Sequence, residues 1–352
     1  MVRAVTKALR GERMTMGESV FKFEEEFARF IGTDHAISVA SGTAALHLAL
    51  IAAKVKDREV ITTPLSFIAT ANAAVQAGGI PRFADVRKRD YQLDPKKVAG
   101  ALTHKSAVIM PVHLYGYPSD MDPIIEIAGP RRMVVIEDAA QAHGALYKGR
   151  KIGSVGDIGC FSFYPTKNMT VAGDGGMVTT NSDSLAKEIA KLRDCGRVSR
   201  YVHDVIGFTY RMNTMNAAFG RVQLRHLEEW NERRRAIARL YAKELGGLGN
   251  VILPPMGGKD IVPVFHLFVL RAQGRDELVK FLGEKGIECA VHYPVPIHLQ
   301  PVYRQMYGYE EGAFPVSEGL CGELISLPMF PGLKDAEVRT ICAAIEEFYG
   351  GK

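Results

Sequence analysis

From about residue 35 onward, short apolar runs alternate with stretches whose apolar residues recur every three or four positions. His35–Ala40 reads as a strand and Thr43–Val55 as the helix that follows it. Val60–Pro64 and Ile68–Gly78 repeat that pair. Ala107–Val112 and Met133–Glu137 read as strands on either side of a short helix at Met121–Ala128, and Gly159–Phe163 and Gly176–Thr180 as two more strands. Strands with so few polar positions are buried on both faces. The βα alternation therefore predicts an α/β domain around a largely parallel sheet.

Between Met215 and Leu245 an apolar stripe runs through Phe219, Val222, Leu227, Trp230, Ile237, Tyr241 and Leu245. Spacings mostly of three, four or seven predict one long helix. Beyond the Gly- and Pro-rich stretch Gly246–Gly258, a smaller unit is expected. Its elements are a strand at Val262–Arg271, a helix at Arg275–Lys285, a strand at Ile287–Val291 and a final helix at Lys334–Tyr349. The expected division is a large domain over residues 1–235 and a small C-terminal α/β domain over residues 236–352.

Composition narrows the function classes. An apolar share of 47% and a charged share of 24% are those of an ordinary globular protein. The net charge of +5 is spread along the chain. Its densest basic run, Arg233-Arg234-Arg235, lies in the long helix beside Glu228, Glu229 and Glu232, which predicts a solvated helix face rather than a nucleic-acid site. The five cysteines are scattered and form no C-x-x-C pair, so free thiols are expected and neither disulfides nor a metal site. No apolar run has the length of a membrane span and no signal peptide opens the chain, so a cytoplasmic protein with no membrane partner is expected.

Three segments could carry chemistry. Ser41-Gly42-Thr43-Ala44 follows a strand and opens a helix, where free N–H groups and the positive end of the helix dipole cradle a phosphate. Read alone, it is a plain helix cap. Val134-Val135-Ile136-Glu137-Asp138 brings two carboxylates to the carboxyl end of a strand, where open α/β sheets bind ligands. A structural acid paired with Arg or Lys is the equal alternative. His143, nearby, reads as a core histidine. In Phe161-Ser162-Phe163-Tyr164-Pro165-Thr166-Lys167-Asn168, aromatics lead into a loop lysine, and Gly173-Asp174-Gly175-Gly176 follows. Such a lysine is usually solvated, but apolar surroundings lower its pKa toward what Schiff-base chemistry requires.

Together these segments suit pyridoxal 5′-phosphate. That cofactor needs a lysine, an acid at the pyridine nitrogen and an anion site, and the chain offers Lys167, Asp138 and Gly42-Thr43. Phe67, just past a strand, could cover the ring, with core packing as its plainer role.

These residues lie in longer blocks that resemble the DegT/DnrJ/EryC1/StrS family of sugar aminotransferases. The blocks include Phe23-Glu24-Glu25-Glu26-Phe27-Ala28, Ser41-Gly42-Thr43-Ala44-Ala45-Leu46-His47 and Ser66-Phe67-Ile68-Ala69-Thr70. Further along come Val112-His113-Leu114-Tyr115-Gly116, Glu137-Asp138-Ala139-Ala140-Gln141-Ala142-His143-Gly144, the Lys167 segment and His292-Tyr293-Pro294-Val295-Pro296-Ile297-His298. The resemblance implies PLP fold type I (aspartate aminotransferase-like), with a mostly parallel sheet in the large domain. It implies a homodimer with shared active sites at the interface. It makes Lys167 the Schiff-base lysine and Asp138 the partner of the pyridine nitrogen. Phe67 would stack on the ring, Gln141 would contact its hydroxyl side, and Gly42, Thr43 and Ser162 would hold the phosphate. Tyr293 and His298 fall in a segment that nears the substrate.

The implied activity is transamination, from glutamate or glutamine to a nucleotide-linked keto-deoxy sugar. Lys167 argues against the sugar dehydratases of the family, which carry histidine at that position. A PLP-binding regulator and a plain α/β binding protein are the other readings. Three departures stand out. Thr209, in Gly207-Phe208-Thr209-Tyr210-Arg211-Met212, replaces an asparagine that reaches the phosphate of the neighbouring subunit. Asp174 stands where Glu is common, and the segment before Gly17 is short.

Overall fold

The computed structural model describes residues 1–350. Nine strands belong to the first half of the chain: β1 (His35–Val39), β2 (Glu59–Thr62), β3 (Ile80–Phe83), β4 (Ser106–Ile109), β5 (Val134–Asp138), β6 (Leu146–Tyr147), β7 (Arg150–Lys151), β8 (Ile158–Ser162) and β9 (Gly176–Thr180). Seven of them form one sheet in the order β1-β9-β8-β5-β4-β2-β3. Its centre is parallel, as the apolar runs predict, while β9 runs antiparallel to both β1 and β8. That reversal makes residues 163–175 a hairpin connection at the carboxyl end of β8, and Lys167 lies in it.

Helices cover both faces, which explains why β2 and β4 are buried at every position. The first four are α1 (Val2–Gly11), α2 (Glu18–Ile31), α3 (Gly42–Ala52) and α4 (Ala69–Gln76). Then come α5 (Pro95–Ala101), α6 (Met121–Ala128), α7 (Asp183–Arg193) and α8 (Thr214–Leu245). Side chains of α3, α4 and α7 pack with Val60, Val108, Ile136 and Val178 in one core. Those of α2, α5, α6 and α8 pack with Ile109, Val135, Phe161 and Met177 in the other. α3 is apolar and buried from Ala44 to Leu50, so its N-terminus is fixed rigidly against the sheet.

The smaller unit contains β10 (Val251–Ile252), β12 (Phe268–Ala272) and β13 (Leu324–Leu327), an antiparallel sheet, with α9 (Arg275–Glu284) and α12 (Asp335–Phe348) against it. α10 (Pro301–Tyr307) and α11 (Pro315–Glu323) are short. β11 (Ile261–Val262) pairs with β6 of the larger unit. The expected boundary between residues 235 and 236 falls inside α8. Ala217, Leu224 and Leu227 of that helix pack in the larger unit, and Ile237, Tyr241 and Leu245 in the smaller.

Three expectations need correction. The strand expected over Val262–Arg271 is two strands, β11 and β12, separated by Pro263–Leu267. Proline has no N–H to donate to a ladder, and Phe265 takes a positive φ of 43°. The strand expected at Ile287–Val291 is reduced to one bridge, Ala290 to Ser326. The triple-arginine run is not a solvated face. Arg234 is buried, and its Nη1 donates to the carbonyls of Phe265 (3.2 Å), His266 (3.2 Å) and Met329 (3.0 Å).

Candidate active site

A cavity of about 450 Å³ opens at the carboxyl ends of β5 and β8. Ser41, Gly42, Thr43, Phe67, Asp138, Gln141, Ser162, Lys167 and Tyr293 all line it. Residues distant in sequence meet there because β5 and β8 are neighbours and α3 packs beneath β8 and β9.

The anion end is built on α3. The Ser41 hydroxyl accepts the Ala44 N–H at 3.1 Å, so the plain cap is present. The cap leaves Gly42 and Thr43, at the first two helical positions, without intrahelical acceptors for their N–H groups. Capping and cradle are therefore one arrangement. Ser162 lies so close that a Cβ on residue 42 would stand 2.6 Å from the Ser162 Cβ, which requires glycine at position 42.

β5 separates its two carboxylates, because successive side chains of a strand point to opposite faces. Glu137 is fully buried and accepts from the N–H groups of Gly153 (3.0 Å), Val155 (2.8 Å) and Gly156 (2.7 Å). Its fourth partner is His113 Nε2 at 3.1 Å. His113 Nδ1 accepts the Ser119 N–H, so Nε2 carries the proton and donates it to Glu137. Burial alone would raise the Glu137 pKa, but these donors hold it below the ordinary value. Glu137 does not line the cavity. It is structural, contrary to the expectation that both acids reach the ligand site.

Asp138 faces the cavity and is 4% exposed. It has no salt-bridge partner among the described residues, so the structural-acid alternative does not hold. Burial pushes its pKa up, opposed by the Thr70 hydroxyl on Oδ2 (2.8 Å) and the Ala140 N–H on Oδ1 (3.2 Å).

Lys167 is half-buried, and its backbone N–H closes a turn on the Tyr164 carbonyl at 2.8 Å. Desolvation lowers its pKa to about 8, against an opposing pull from Asp138. The connection carrying it is pinned to α8. Asn168 Nδ2 donates to Asn231 Oδ1 (2.9 Å) and to the Val264 carbonyl (3.0 Å), and Asn216 Nδ2 donates to the Asp174 carbonyl (3.0 Å). Lys167 is thus not a free surface amine, and the connection that carries it is held in place.

The remaining wall is aromatic and amide. Gln141 Oε1 accepts the Tyr115 N–H at 2.6 Å, which turns its Nε2 toward the Tyr293 hydroxyl at 3.2 Å. Burial raises the Tyr293 pKa to about 12, so it stays a neutral phenol. Phe67 is 56% exposed at the mouth, its ring 6.1 Å from that of Tyr293, so its role is not core packing. His143 is buried against Phe161 and Phe163 with its pKa lowered to about 3 by desolvation, so it is a neutral core histidine, but neither ring nitrogen has a hydrogen-bond partner among the described residues, contrary to the satisfied core histidine expected.

Two expected site residues stand apart. His298 is fully buried, bonds Glu318 Oε1 at 3.0 Å and packs on Phe314, away from the cavity. Thr209 is exposed, contacts Cys195 Sγ at 3.4 Å and does not line this chain's cavity. Sequence reasoning in turn missed Thr70, His266 and His292, which do line it. The four-residue spacing of Ser66 and Thr70 at the start of a helix was the available signal for the first. For His266 the signal was Pro263, which breaks the strand expected there.

The arrangement fits pyridoxal 5′-phosphate. It offers an amine of lowered pKa, a buried carboxylate without a cationic partner and unsatisfied N–H groups at a helix N-terminus, all in one cavity. Among the described residues no cluster of His, Cys, Asp and Glu could hold a metal, and no helix is long and apolar enough to cross a membrane.

A model of the DegT/DnrJ/EryC1/StrS aminotransferase family matches residues 1–346. The chain is 41% identical to a pleiotropic regulatory protein of Geobacillus stearothermophilus, over 99% of this chain and 94% of that protein. It is 39% identical to the dTDP-3-amino-3,4,6-trideoxy-alpha-D-glucose transaminase of Streptomyces venezuelae, over 98% of this chain and 91% of that one. The crystal structure of S. venezuelae DesV in complex with a ketimine intermediate has the same fold, with a TM-score of 0.96 at 39% identity, covering 99% of this chain and 93% of DesV.

Proposed function

The chain belongs to the DegT/DnrJ/EryC1/StrS aminotransferase family, and from that premise we propose that it is a pyridoxal-phosphate-dependent nucleotide-sugar aminotransferase. It moves an amino group from an amino-acid donor, glutamate or glutamine, to a nucleotide-linked keto-deoxy sugar. The observation that carries this reading is the pairing of Lys167 and Asp138 in one cavity, with the open N-terminus of α3 at its other end.

When bound, the cofactor supplies an electron-withdrawing ring that acidifies the α-C–H of the amino donor. The Asp138 carboxylate holds the proton at the ring nitrogen. The Gly42 and Thr43 N–H groups and the Ser162 hydroxyl hold the phosphate. Gln141 Nε2 would meet the ring hydroxyl, and Phe67, exposed at the cavity mouth, would cover the ring and keep water off it. Lys167 Nζ would anchor the cofactor between turnovers. Once released, it takes the proton from the donor's α-carbon, which a lysine with a pKa of about 8 does far better than one at its ordinary value. Tyr293 borders the space left for the substrate. His298, bonded to Glu318 and packed on Phe314, does not line that space.

The active unit we propose is a homodimer. Val198, Tyr201, Val202 and Ile206 are all more than half exposed on the segment before Thr209. A second copy that covers this apolar surface carries Thr209 toward the phosphate end of the partner subunit's cavity.

The 41% identity to a pleiotropic regulatory protein favours one second reading, a protein that binds the cofactor and regulates. Amino transfer separates the two. Pyridoxamine-phosphate-loaded protein is offered dTDP-, UDP- and GDP-linked keto sugars, and products are read by mass spectrometry. One aminated nucleotide sugar is expected; cofactor binding with none aminated favours the regulator.

A further inference from the structure

Asp138 is a buried acid with a specific problem. Desolvation favours its neutral form, yet it has no arginine, lysine or histidine within hydrogen-bond reach. The charged and titratable groups around it are Lys167 across the cavity, His113 engaged with Glu137, Cys160 opposite it on β8, and Tyr293. None of them donates to it.

One hydroxyl does, that of Thr70 in the first turn of α4, and the Ser66 hydroxyl just before the helix stands behind it. Thr70 Oγ1 lies 2.8 Å from Asp138 Oδ2, and Ser66 Oγ lies 2.9 Å from Thr70 Oγ1. Ser66 is 4% exposed and Thr70 1%, so both are closed to bulk water, and both border the cavity. A hydroxyl has one proton. An ionised carboxylate only accepts, so Thr70 must donate to Asp138, and Ser66 must then donate to Thr70. The three groups form a chain with one direction when Asp138 is an anion. The Ala140 N–H on Oδ1 fixes the other oxygen, so the carboxylate cannot rotate without losing a bond at each end.

We propose that Thr70, backed by Ser66, is a positioning residue that holds Asp138 as an oriented anion for the ring nitrogen of the cofactor. This rests on the pyridoxal-phosphate reading above. A hydrogen bond to a charged group in a buried site is worth more than one between neutral groups. Removing the Thr70 hydroxyl makes Asp138 easier to protonate, and a neutral Asp138 offers a protonated ring nitrogen no counter-charge.

The test is pyridoxal-phosphate affinity of the apoprotein, by absorbance titration from pH 6 to 7.5, for the wild type, Thr70→Val, Thr70→Ser and Ser66→Ala. Ratios to wild type cancel the titrations of the cofactor and of Lys167. Thr70→Val is expected to weaken binding about tenfold at pH 7.5 and by more as the pH falls, with Thr70→Ser within about threefold throughout. Ser66→Ala is expected to lose about two- to threefold in the same direction, and it carries the test if Thr70→Val does not fold. A Thr70→Val curve that superimposes on wild type overturns the inference. So does a pH-independent deficit, or one that serine does not repair, because either assigns Thr70 to packing. Wild-type protein that takes up no pyridoxal phosphate overturns the underlying reading instead, and the inference with it.

Discussion

Gly42 and Ser162 approach so closely that a Cβ on residue 42 would lie 2.6 Å from the Cβ of Ser162. This contact joins the N-terminus of α3 to the end of β8 and shapes the anion end of the cavity. Gly42→Ala must push Ser162 aside, because α3 is packed too tightly to move. The expected outcome is a loss of about 1–3 kcal/mol of stability in denaturant unfolding and at least about tenfold weaker pyridoxal-phosphate binding. Gly247, which has open space where a Cβ would go, is the control, and alanine there should leave binding unchanged.

Lys167, with its pKa lowered to about 8 by desolvation, should show that value in its chemistry. Competitive labelling of the apoprotein with an amine reagent, read peptide by peptide, gives reactivity against pH. Reactivity at Lys167 is expected to level off just above pH 8, while exposed lysines continue to gain toward pH 10. A Lys167 profile that rises in parallel with theirs contradicts the desolvated site.

Glu137 is held ionised by three N–H groups and His113. Its pKa is depressed in the fold, so its contribution to stability is complete above the ordinary value near 4.5. It is lost as the pH falls through the lower folded value. Glu137→Gln puts an amide donor among donors and should cost about 2–4 kcal/mol at pH 7. The gap to wild type should narrow in urea unfolding below about pH 4. A pH-independent gap contradicts the ionised assignment.

Arg234 holds three carbonyls from the segments that bring His266 and Met329 against α8. Burial lowers its pKa to about 10, so it remains charged at neutral pH. Arg234→Met should cost about 2–4 kcal/mol and leave those carbonyls unpaired. Hydrogen exchange should speed up locally at residues 264–268 before the sheet of the larger unit is affected. Uniform acceleration along the chain contradicts a local tie.

Much of this molecule was legible in its sequence, and the failures have physical causes. The apolar runs at His35, Val60, Ala107 and Met133 lie in a sheet buried on both faces, where hydrophobicity alone reports the strand. The antiparallel insertion of β9 was not legible, because strand direction depends on pairing and not on composition. Arg234 looked like its ion-paired neighbours Arg233 and Arg235 because three backbone carbonyls satisfy it, and carbonyls leave no trace in sequence. His266 was hidden in a run read as continuously β, although Pro263 within it marks the break between β11 and β12. The core of the site was readable because Lys167, Asp138 and Gly42 each sit at a strand end or helix start, where local pattern and chemistry coincide. His292 was missed and His298 misassigned for one reason. Contact with the cavity depends on how the 292–298 segment packs, which local sequence does not state.

The most direct test of the account is a single-turnover reaction of pyridoxamine-phosphate-loaded protein with the nucleotide-linked keto sugar selected from the panel, comparing wild type with Lys167→Ala. The account predicts that wild type converts its cofactor to the pyridoxal form and releases one equivalent of amino sugar. It predicts that Lys167→Ala binds the cofactor but converts it more than about a thousandfold more slowly. Conversion by Lys167→Ala at the wild-type rate would contradict the assignment of Lys167 as the group that moves the proton.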